Sequence, residues 1–258
     1  MSAFVTDAGD GGLPLTGERT VPGVAVENYW FRRHEVVYAR LAQLCAGRDV
    51  LEAGCGEGYG ADLIASVAHT VIAVDYDAAA VAHVRNRYPR VQVLAGNLAS
   101  LPLGDSAVDV VVNFQVIEHL WDQPQFITEC LRVLRPGGLL LISTPNRITF
   151  TPGSDTPVNP FHTRELNAAE LAELLTGAGF RIDGLYGVFH GPRLLEMDIR
   201  HGGSIIDAQI ARALADAPWP AELATDVAAV RTEDFDLLRA DERDIDDSLD
   251  LVAIAVHP

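Results

Sequence analysis

The chain of 258 residues contains no lysine: all 19 of its basic side chains are arginine, set against 36 Asp and Glu. A Schiff-base lysine and a P-loop lysine are therefore excluded. The formal charge of −17 also opposes a phosphate backbone or an anionic membrane as partner. A GC-rich genome is enough to account for the missing lysine. Cysteine is scarce as well. Cys45, Cys55 and Cys130 are odd in number and show no CxxC spacing, so neither a disulfide framework nor a thiolate zinc site is suggested. No apolar run approaches the ~20 residues that span a bilayer. The opening residues, MSAFVTDAGDGG, lack the basic stretch and apolar core of a signal peptide. The expectation is a cytoplasmic protein with neither membrane nor nucleic acid as partner. Hydrophobic residues make up 48% of the chain, enough to build the core of one large α/β domain or of a domain with an insertion.

Strands and helices alternate along most of the sequence. Residues 1–26 read as a flexible N-terminal lead, followed by a helix over 27–45 with Trp30, Val37, Leu41 and Leu44 near one face. Short apolar strands are expected at 50–53, 70–74, 91–94, 108–114, 139–143, 180–188 and 249–256. Helices are expected from Ala61, from Asp77 to Arg87, from an Asp122/Gln125 capping box to Leu134, and from Asn167. Arg135-Pro136-Gly137-Gly138 reads as the turn into the fifth strand. The pattern predicts a mostly parallel sheet covered by helices on both faces. The catalytic fold would comprise 27–190 and 249–258. Residues 191–248, with helical stretches near 204–214 and 222–230, would form a helical insertion. From 191 to 250 there are 15 acidic residues against 6 arginines, a net of −9. Such an insertion is a lid or acceptor-binding element, or else a packing elaboration or a dimer contact; the oligomeric state is left open.

Two features carry chemistry. Gly54-x-Gly56-x-Gly58 sits at a strand-to-helix turn, where glycine lets the backbone approach a ligand at the end of a parallel sheet. Asp75 follows 21 residues after Gly54 at the tip of the second strand, where a carboxylate can accept both hydroxyls of a ribose. Gly56-x-Gly58-x-x-Ala61 also meets a relaxed dinucleotide fingerprint, so a nicotinamide dehydrogenase stays as a distant alternative. The second feature is Glu118-His119, just beyond the apolar fourth strand. An alcohol nucleophile needs a base or a metal to remove its proton, and a histidine is largely neutral at cellular pH. In isolation, the favoured reading of such a pair is that it caps or orients the following turn.

Val50-Leu51-Glu52-Ala53-Gly54-Cys55-Gly56-Glu57-Gly58 resembles the first motif of the class I S-adenosylmethionine-dependent methyltransferases. Ala73-Val74-Asp75, Gly96-Asn97-Leu98 with Leu101-Pro102, and Leu134-Arg135-Pro136-Gly137-Gly138-Leu139-Leu140 resemble the motifs that follow in that family's order. The likeness covers about residues 27–188. It implies a Rossmann-like sheet of seven strands, mostly parallel, with an antiparallel last strand. Gly54, Gly56 and Gly58 would line the methionine part of S-adenosyl-L-methionine, and Asp75 would hold its ribose. Tyr76 and Leu98 would flank the adenine, and Asn97, where many relatives carry Asp, would meet its amino group. Glu52 and Phe114 complete the implied cofactor set.

Glu118-His119 resembles the same dipeptide in O-methyltransferases of ubiquinone biosynthesis and in small-RNA 3′-terminal 2′-O-methyltransferases. The latter hold a magnesium ion with Glu-x-x-Glu-His and a distant histidine. Here the spacing gives Gln115-x-x-Glu118-His119, with His162 in Asn159-Pro160-Phe161-His162-Thr163-Arg164-Glu165 as the distant partner. Gln115 replaces a carboxylate by a neutral amide, which makes Gln115, Glu118, His119 and His162 a mediocre Mg2+ site. His119 is thus the expected catalytic base, with Glu118 and His162 positioning it or a divalent ion. Ser143-Thr144-Pro145-Asn146-Arg147 is similar to the family's Thr-Pro-Asn turn, read here as structural.

Thr16-Gly17-Glu18-Arg19, the run from Glu27 to His34, and the turns His190-Gly191-Pro192-Arg193 and His201-Gly202-Gly203-Ser204 could border the acceptor. Core packing is the plainer reading for Trp30 and Phe31, and solvent-exposed turns explain both histidine segments equally well. As a whole, the chain is similar to actinobacterial methyltransferases of polymethylated polysaccharides, notably methylglucose lipopolysaccharide. That likeness lies in Gly17-Glu18-Arg19-Thr20, Glu27 to His34, and Asp244 to Asp250. It implies a sugar hydroxyl on a small or oligosaccharide acceptor. A small phenol or quinone precursor and a non-catalytic cofactor-binding module are the alternatives, and the charge disfavours RNA.

Overall fold

The computed structural model describes residues 13, 19–215 and 217–258. Most of the lead expected over 1–26, including Thr16, Gly17 and Glu18, lies outside them. The chain divides into two compact units, one from residues before 37 together with 189–236, the other from 37–188 together with 237–258.

The helix expected over 27–45 is α1 (Asn28–Leu41), flanked by single 3-10 turns at Ala25–Glu27 and Ala42–Cys45. Alternation then follows through β1 (Asp49–Ala53), α2 (Tyr59–Ala65), β2 (Thr70–Asp75), α3 (Ala78–Arg87), β3 (Gln92–Ala95), β4 (Val108–Phe114), α4 (Gln123–Val133) and β5 (Leu134–Pro145). A one-turn helix α5 (Arg147–Phe150) precedes α6 (Ala168–Gly177) and β6 (Arg181–His190). Three further helices, α7 (Pro192–Arg200), α8 (Ile205–Leu214) and α9 (Ala221–Ala229), lead to β7 (Phe235–Arg239) and β8 (Asp250–Val256).

The sheet has eight strands in the order β3-β2-β1-β4-β5-β8-β6-β7. This corrects the expectation of seven. The additional strand β7 lies at an edge inside the stretch read as helical, and the acids flanking it hide it: only Phe235 of its five residues is buried. Strands β1 to β5 pair in parallel, whereas β8 runs antiparallel to β5 and β6, as the family likeness implied. β5 also begins earlier than expected. Val108 pairs with Leu134 and Val110 with Leu139, so Arg135 to Gly138 form an irregularity within the strand and not a turn before it. Gly138 is required there, because a Cβ would fall 2.9 Å from the Asp109 carbonyl oxygen.

The core of the second unit includes Leu51, Val111, Phe126, Ile127, Ile142 and Leu171, all fully buried. Burying such a side chain contributes roughly 1.5–3 kcal/mol. Helix ends are fixed as the sequence indicates, with one exception. Asn167 and Glu170 form a reciprocal capping box on α6. Asp122 caps α4 through the Gln125 N–H, but the Gln125 side chain does not return the bond and reaches the Ala99 carbonyl instead. In the first unit, Asn28 Nδ2 donates to the carbonyls of Val227, Ala228 and Val230 at the end of α9. His190 and His201 are not exposed turn residues. His190 joins Asp198 at 2.7 Å and the Tyr29 hydroxyl at 2.7 Å, and His201 joins Asp226 at 2.8 Å. Phe31 is buried, as core packing required.

Asn146 is more than a turn former. Fully buried, it donates from Nδ2 toward the carbonyls of Ile245 (3.2 Å), Asp246 (2.8 Å) and Ser248 (3.1 Å), and accepts the Ile148 N–H at Oδ1. The end of β5 is thereby tied to the segment entering β8. Asn146→Asp would aim a carboxylate at three carbonyl oxygens, and a loss on the order of 3 kcal/mol is expected. The urea midpoint of the purified variant measures it; an unchanged midpoint would contradict this role.

Candidate active site

The glycine loop after β1 has the backbone its composition suggested. Gly54, Gly56 and Gly58 adopt φ values of +87°, +51° and +96°, the left-handed region that side chains rarely enter. At Gly54 a Cβ would also fall 2.5 Å from Val116 Cγ1, in the turn after β4, so the two loops approach closely. Asp75 ends β2 and is nearly buried. One carboxylate oxygen accepts the Gly56 N–H at 2.8 Å and the other accepts the Asp77 N–H at 2.9 Å. A carboxylate has about four lone-pair sites, so capacity for hydroxyl donors remains. Tyr76 beside it is 75% exposed, whereas Leu98 is buried. Asn97 is exposed and uses Oδ1 to accept the Ala99 N–H.

Glu52, near the end of β1, is fully buried. Its Oε1 accepts the Tyr38 hydroxyl at 2.7 Å, and its Oε2 has no hydrogen-bond partner. Burial pushes its carboxyl up to about 8, opposed by the Tyr38 bond and assisted by the charge of Asp75. Tyr38 also meets Phe114 edge-on, with ring centroids 4.8 Å apart. Glu57 is tied to α3 and its end, by His83 Nε2 at 2.8 Å and by the Tyr88 hydroxyl at 2.8 Å.

The second cluster lies where β4 gives way to a 3-10 turn at Ile117–His119. Gln115 enters this turn with φ +57°, a strained value for a non-glycine residue and a frequent mark of functional turns. Its Nε2 lies 3.4 Å from Ser143 Oγ. Glu118 is buried and accepts the Thr144 hydroxyl at 3.1 Å. Burial pushes its carboxyl up to about 7, with His162 and Thr144 pulling the other way. Thr163 joins the two loops: its N–H donates to the Glu118 carbonyl at 2.7 Å and its hydroxyl to the Leu120 carbonyl at 2.7 Å.

The two histidines meet here, with ring centroids 4.9 Å apart. His119 donates from Nδ1 to the Phe161 carbonyl at 3.0 Å, and His162 donates from Nδ1 to Glu165 at 2.6 Å. Each bond holds a proton on Nδ1, so that Nε2 is the acceptor atom whenever the ring is neutral, the arrangement seen in metal-binding and proton-accepting histidines. Asn159 Nδ2 donates to His162 Nε2 at 3.1 Å, while its Oδ1 accepts the Phe161 N–H. One ligand atom each from Glu118, His119 and His162 lies within 4.8 Å of the others. Of the expected set, the adjacent Glu118 and His119 thus meet His162, 43 residues beyond His119 in the chain.

Several participants went unassigned in the sequence. Tyr38 and Thr144 leave no local signal, because their partners are distant in the chain. Glu165 does, lying three residues after His162, the spacing of the hydrogen bond they form.

A Rossmann-like sheet with a glycine loop after its first strand and an acid after its second defines an α/β protein that binds a nucleotide-containing cofactor. The methyltransferase-domain family matches residues 51–142. A protein of Mycolicibacterium smegmatis named as a probable S-adenosylmethionine-dependent methyltransferase is 76% identical over 246 residues, covering 95% of this chain and 96% of its own length. A counterpart of the same description in Mycobacterium tuberculosis is 72% identical over 247 residues, covering 95% of this chain and 90% of its own. The chain belongs to the S-adenosylmethionine-dependent methyltransferases. A ubiquinone biosynthesis O-methyltransferase of Rhizobium leguminosarum is 29% identical over 57% of this chain and 64% of its own. The fold is similar to that of a Thermotoga maritima methyltransferase described as a possible histamine N-methyltransferase, with a TM-score of 0.61 and 17% identity over 90% of this chain and 99% of that one. No helix among the described residues is long and apolar enough to cross a membrane.

The Glu52 carboxyl has a stability consequence. An acid whose folded pKa is raised favours the fold below its unfolded value near 4.5, and that contribution is lost as pH rises through about 8. Glu52→Gln keeps an oxygen for the Tyr38 hydroxyl and removes the ionisation. The melting temperature of wild type should therefore fall from pH 6 to pH 9 by more than that of the variant. Parallel curves would refute the assignment.

Proposed function

We propose that the protein is an O-methyltransferase that takes a hydroxyl proton on His119 and transfers methyl to a sugar hydroxyl, on a glucose unit of a polymethylated-polysaccharide precursor. The observation that carries the reading is the pair of tautomer-fixed histidines around the buried Glu118 at the C-terminal end of β4. That edge of an open α/β sheet is where ligands sit. The residues at the glycine loop fit the family's cofactor. Glu52 Oε2 is buried without a partner beside the loop, and a carboxyl there suits a cationic sulfonium ligand. Gly54, Gly56 and Gly58 would receive its methionine part and Asp75 its ribose, with Tyr76, Asn97, Leu98 and Phe114 around the adenosine. S-adenosylmethionine supplies a methyl group activated by a positively charged sulfur.

His119 would accept the acceptor's proton at Nε2 as the hydroxyl oxygen takes the methyl group that the bound cofactor would supply. The buried Glu118 stabilises the imidazolium, and Thr163 and the Phe161 carbonyl hold the ring in place. Such a base contributes about 10²–10⁴-fold. The same three residues would alternatively hold a divalent ion, which would lower the acceptor hydroxyl's pKa. Two imidazoles and one carboxylate fit a transition ion such as Mn2+ better than Mg2+, and Asn159 would have to leave His162 Nε2.

The sugar reading rests on the family likeness and on the lysine-free, acidic chain, which disfavours phosphorylated acceptors and RNA. A phenol or quinone precursor is the second reading, favoured by the likeness to the ubiquinone biosynthesis O-methyltransferase over 161 residues. His119→Ala should lower kcat by roughly 10²-fold or more, with cofactor affinity retained. Near-normal turnover at saturating cofactor would defeat the base assignment, and full activity after exhaustive chelation would remove the metal alone. Labelled methyl traced from cell extract into carbohydrate, phenol or another pool decides the acceptor.

A further inference from the structure

The two loops that build the histidine cluster also carry exposed apolar side chains. Trp121, two residues after His119, is 92% exposed. Phe161, whose carbonyl holds His119, is 37% exposed, and Val158 is 62% exposed. A tryptophan presented almost entirely to water is costly, and an exposed apolar patch beside a reactive cluster marks a binding surface. Loop positions are fixed, since Thr163 ties the 118–120 turn to the 161–165 segment.

Charge narrows the occupant. Arg147 pairs with Asp155 and Glu170, and Arg164 pairs with Glu170, so the cations of this segment are already engaged by carboxylates. Asp155 is fully exposed, and Asp122 adjoins Trp121. Among the described residues of these two segments, Trp121 and Phe161 offer exposed aromatic rings and Asp122 and Asp155 hydrogen-bond acceptors, while Arg147 and Arg164 are engaged. An anionic ligand gains nothing here. A neutral ring with an apolar C–H face and a rim of hydroxyl donors satisfies both elements, because C–H edges are attracted to the negative face of an aromatic ring.

We propose that Trp121 and Phe161 form an aromatic platform that stacks against the ring of a neutral oligosaccharide, holding a sugar unit beside the one presented to His119. The assignment rests on the sugar reading above and deepens it: the acceptor is a chain of several units, and Trp121 selects it.

Maltohexaose is the probe, with binding measured calorimetrically and methyl transfer measured on the full-length protein. Trp121→Ala should raise Kd and KM for maltohexaose by about tenfold. The loss should fall on KM and not on kcat, and Trp121→Phe should restore most of it. If wild type binds maltohexaose and Trp121→Ala binds it equally well, the platform is wrong while the sugar reading stands. If wild type binds no maltohexaose but methylates a catechol, the sugar reading fails and the platform falls with it. A dimer that Trp121→Asp converts to monomer would show a second copy of the chain on this face, which also overturns the platform.

Discussion

A carboxylate buried in protein is costly unless it receives a donor, a proton or a cation, and the sites of this chain are organised by that requirement. With no lysine in the sequence, only arginine and histidine can supply positive charge. Each carboxylate near the two loops meets the requirement differently. Asp75 takes two backbone N–H groups, Glu57 takes His83 and Tyr88, and Glu165 takes His162. Glu118 has Thr144, its own backbone and the neighbouring His162, and Glu52 has the Tyr38 hydroxyl and the backbone of Ala61. Glu52 and Glu118 are the least compensated, and in both burial raises the carboxyl pKa by more than their partners lower it. Those two lie at the ends of β1 and β4. Incomplete compensation is tolerable where a cationic ligand or a proton-accepting imidazole completes the environment.

The glycine loop was legible in sequence because its requirement is local. Positive φ at Gly54, Gly56 and Gly58 demands glycine wherever the chain makes this turn, and Asp75 belongs at the end of the next strand. Parallel pairing was legible for a similar reason, since uninterrupted apolar stretches such as Val110-Val111-Val112 suit a sheet covered on both faces. β7 was not legible. An edge strand that buries only Phe235 leaves neither an apolar run nor a clean alternation, and its flanking acids read as solvated surface. The start of β5 was obscured by Pro136, Gly137 and Gly138, which signal a turn but here accommodate an irregularity opposite Asp109.

For the histidine cluster, the likeness to methyltransferases with the same Glu-His dipeptide pointed to Glu118, His119 and His162, but not to what holds them. Thr163 and Asn159 were visible only as neighbours of His162. Their roles depend on how the loop folds back onto the 118–120 turn, and such contacts have no sequence period to betray them. Asn146 is a comparable case: a family-like turn residue whose side chain serves three carbonyls about a hundred positions later.

These supports explain how a reactive cluster can sit on loops without losing definition. Loop residues are ordinarily the more mobile part of a fold, and catalysis requires groups held to within fractions of an ångström. Here the first loop is fixed by its departure from β4 and by Thr163, and the second by Asn146 at the end of β5 and by the Asn167 cap at α6. Both anchors of the second loop lie outside the segment that bears His162. Residues between them can therefore vary in what they show to solvent while the imidazoles keep their orientation. Phe161 lies on such an outward-facing position and Trp121 is exposed on the first loop, whereas Glu118, Thr144 and Glu165 are buried. The division separates two demands on one short stretch of chain: the buried groups fix the orientation of the imidazoles, and the outer positions are left to solvent.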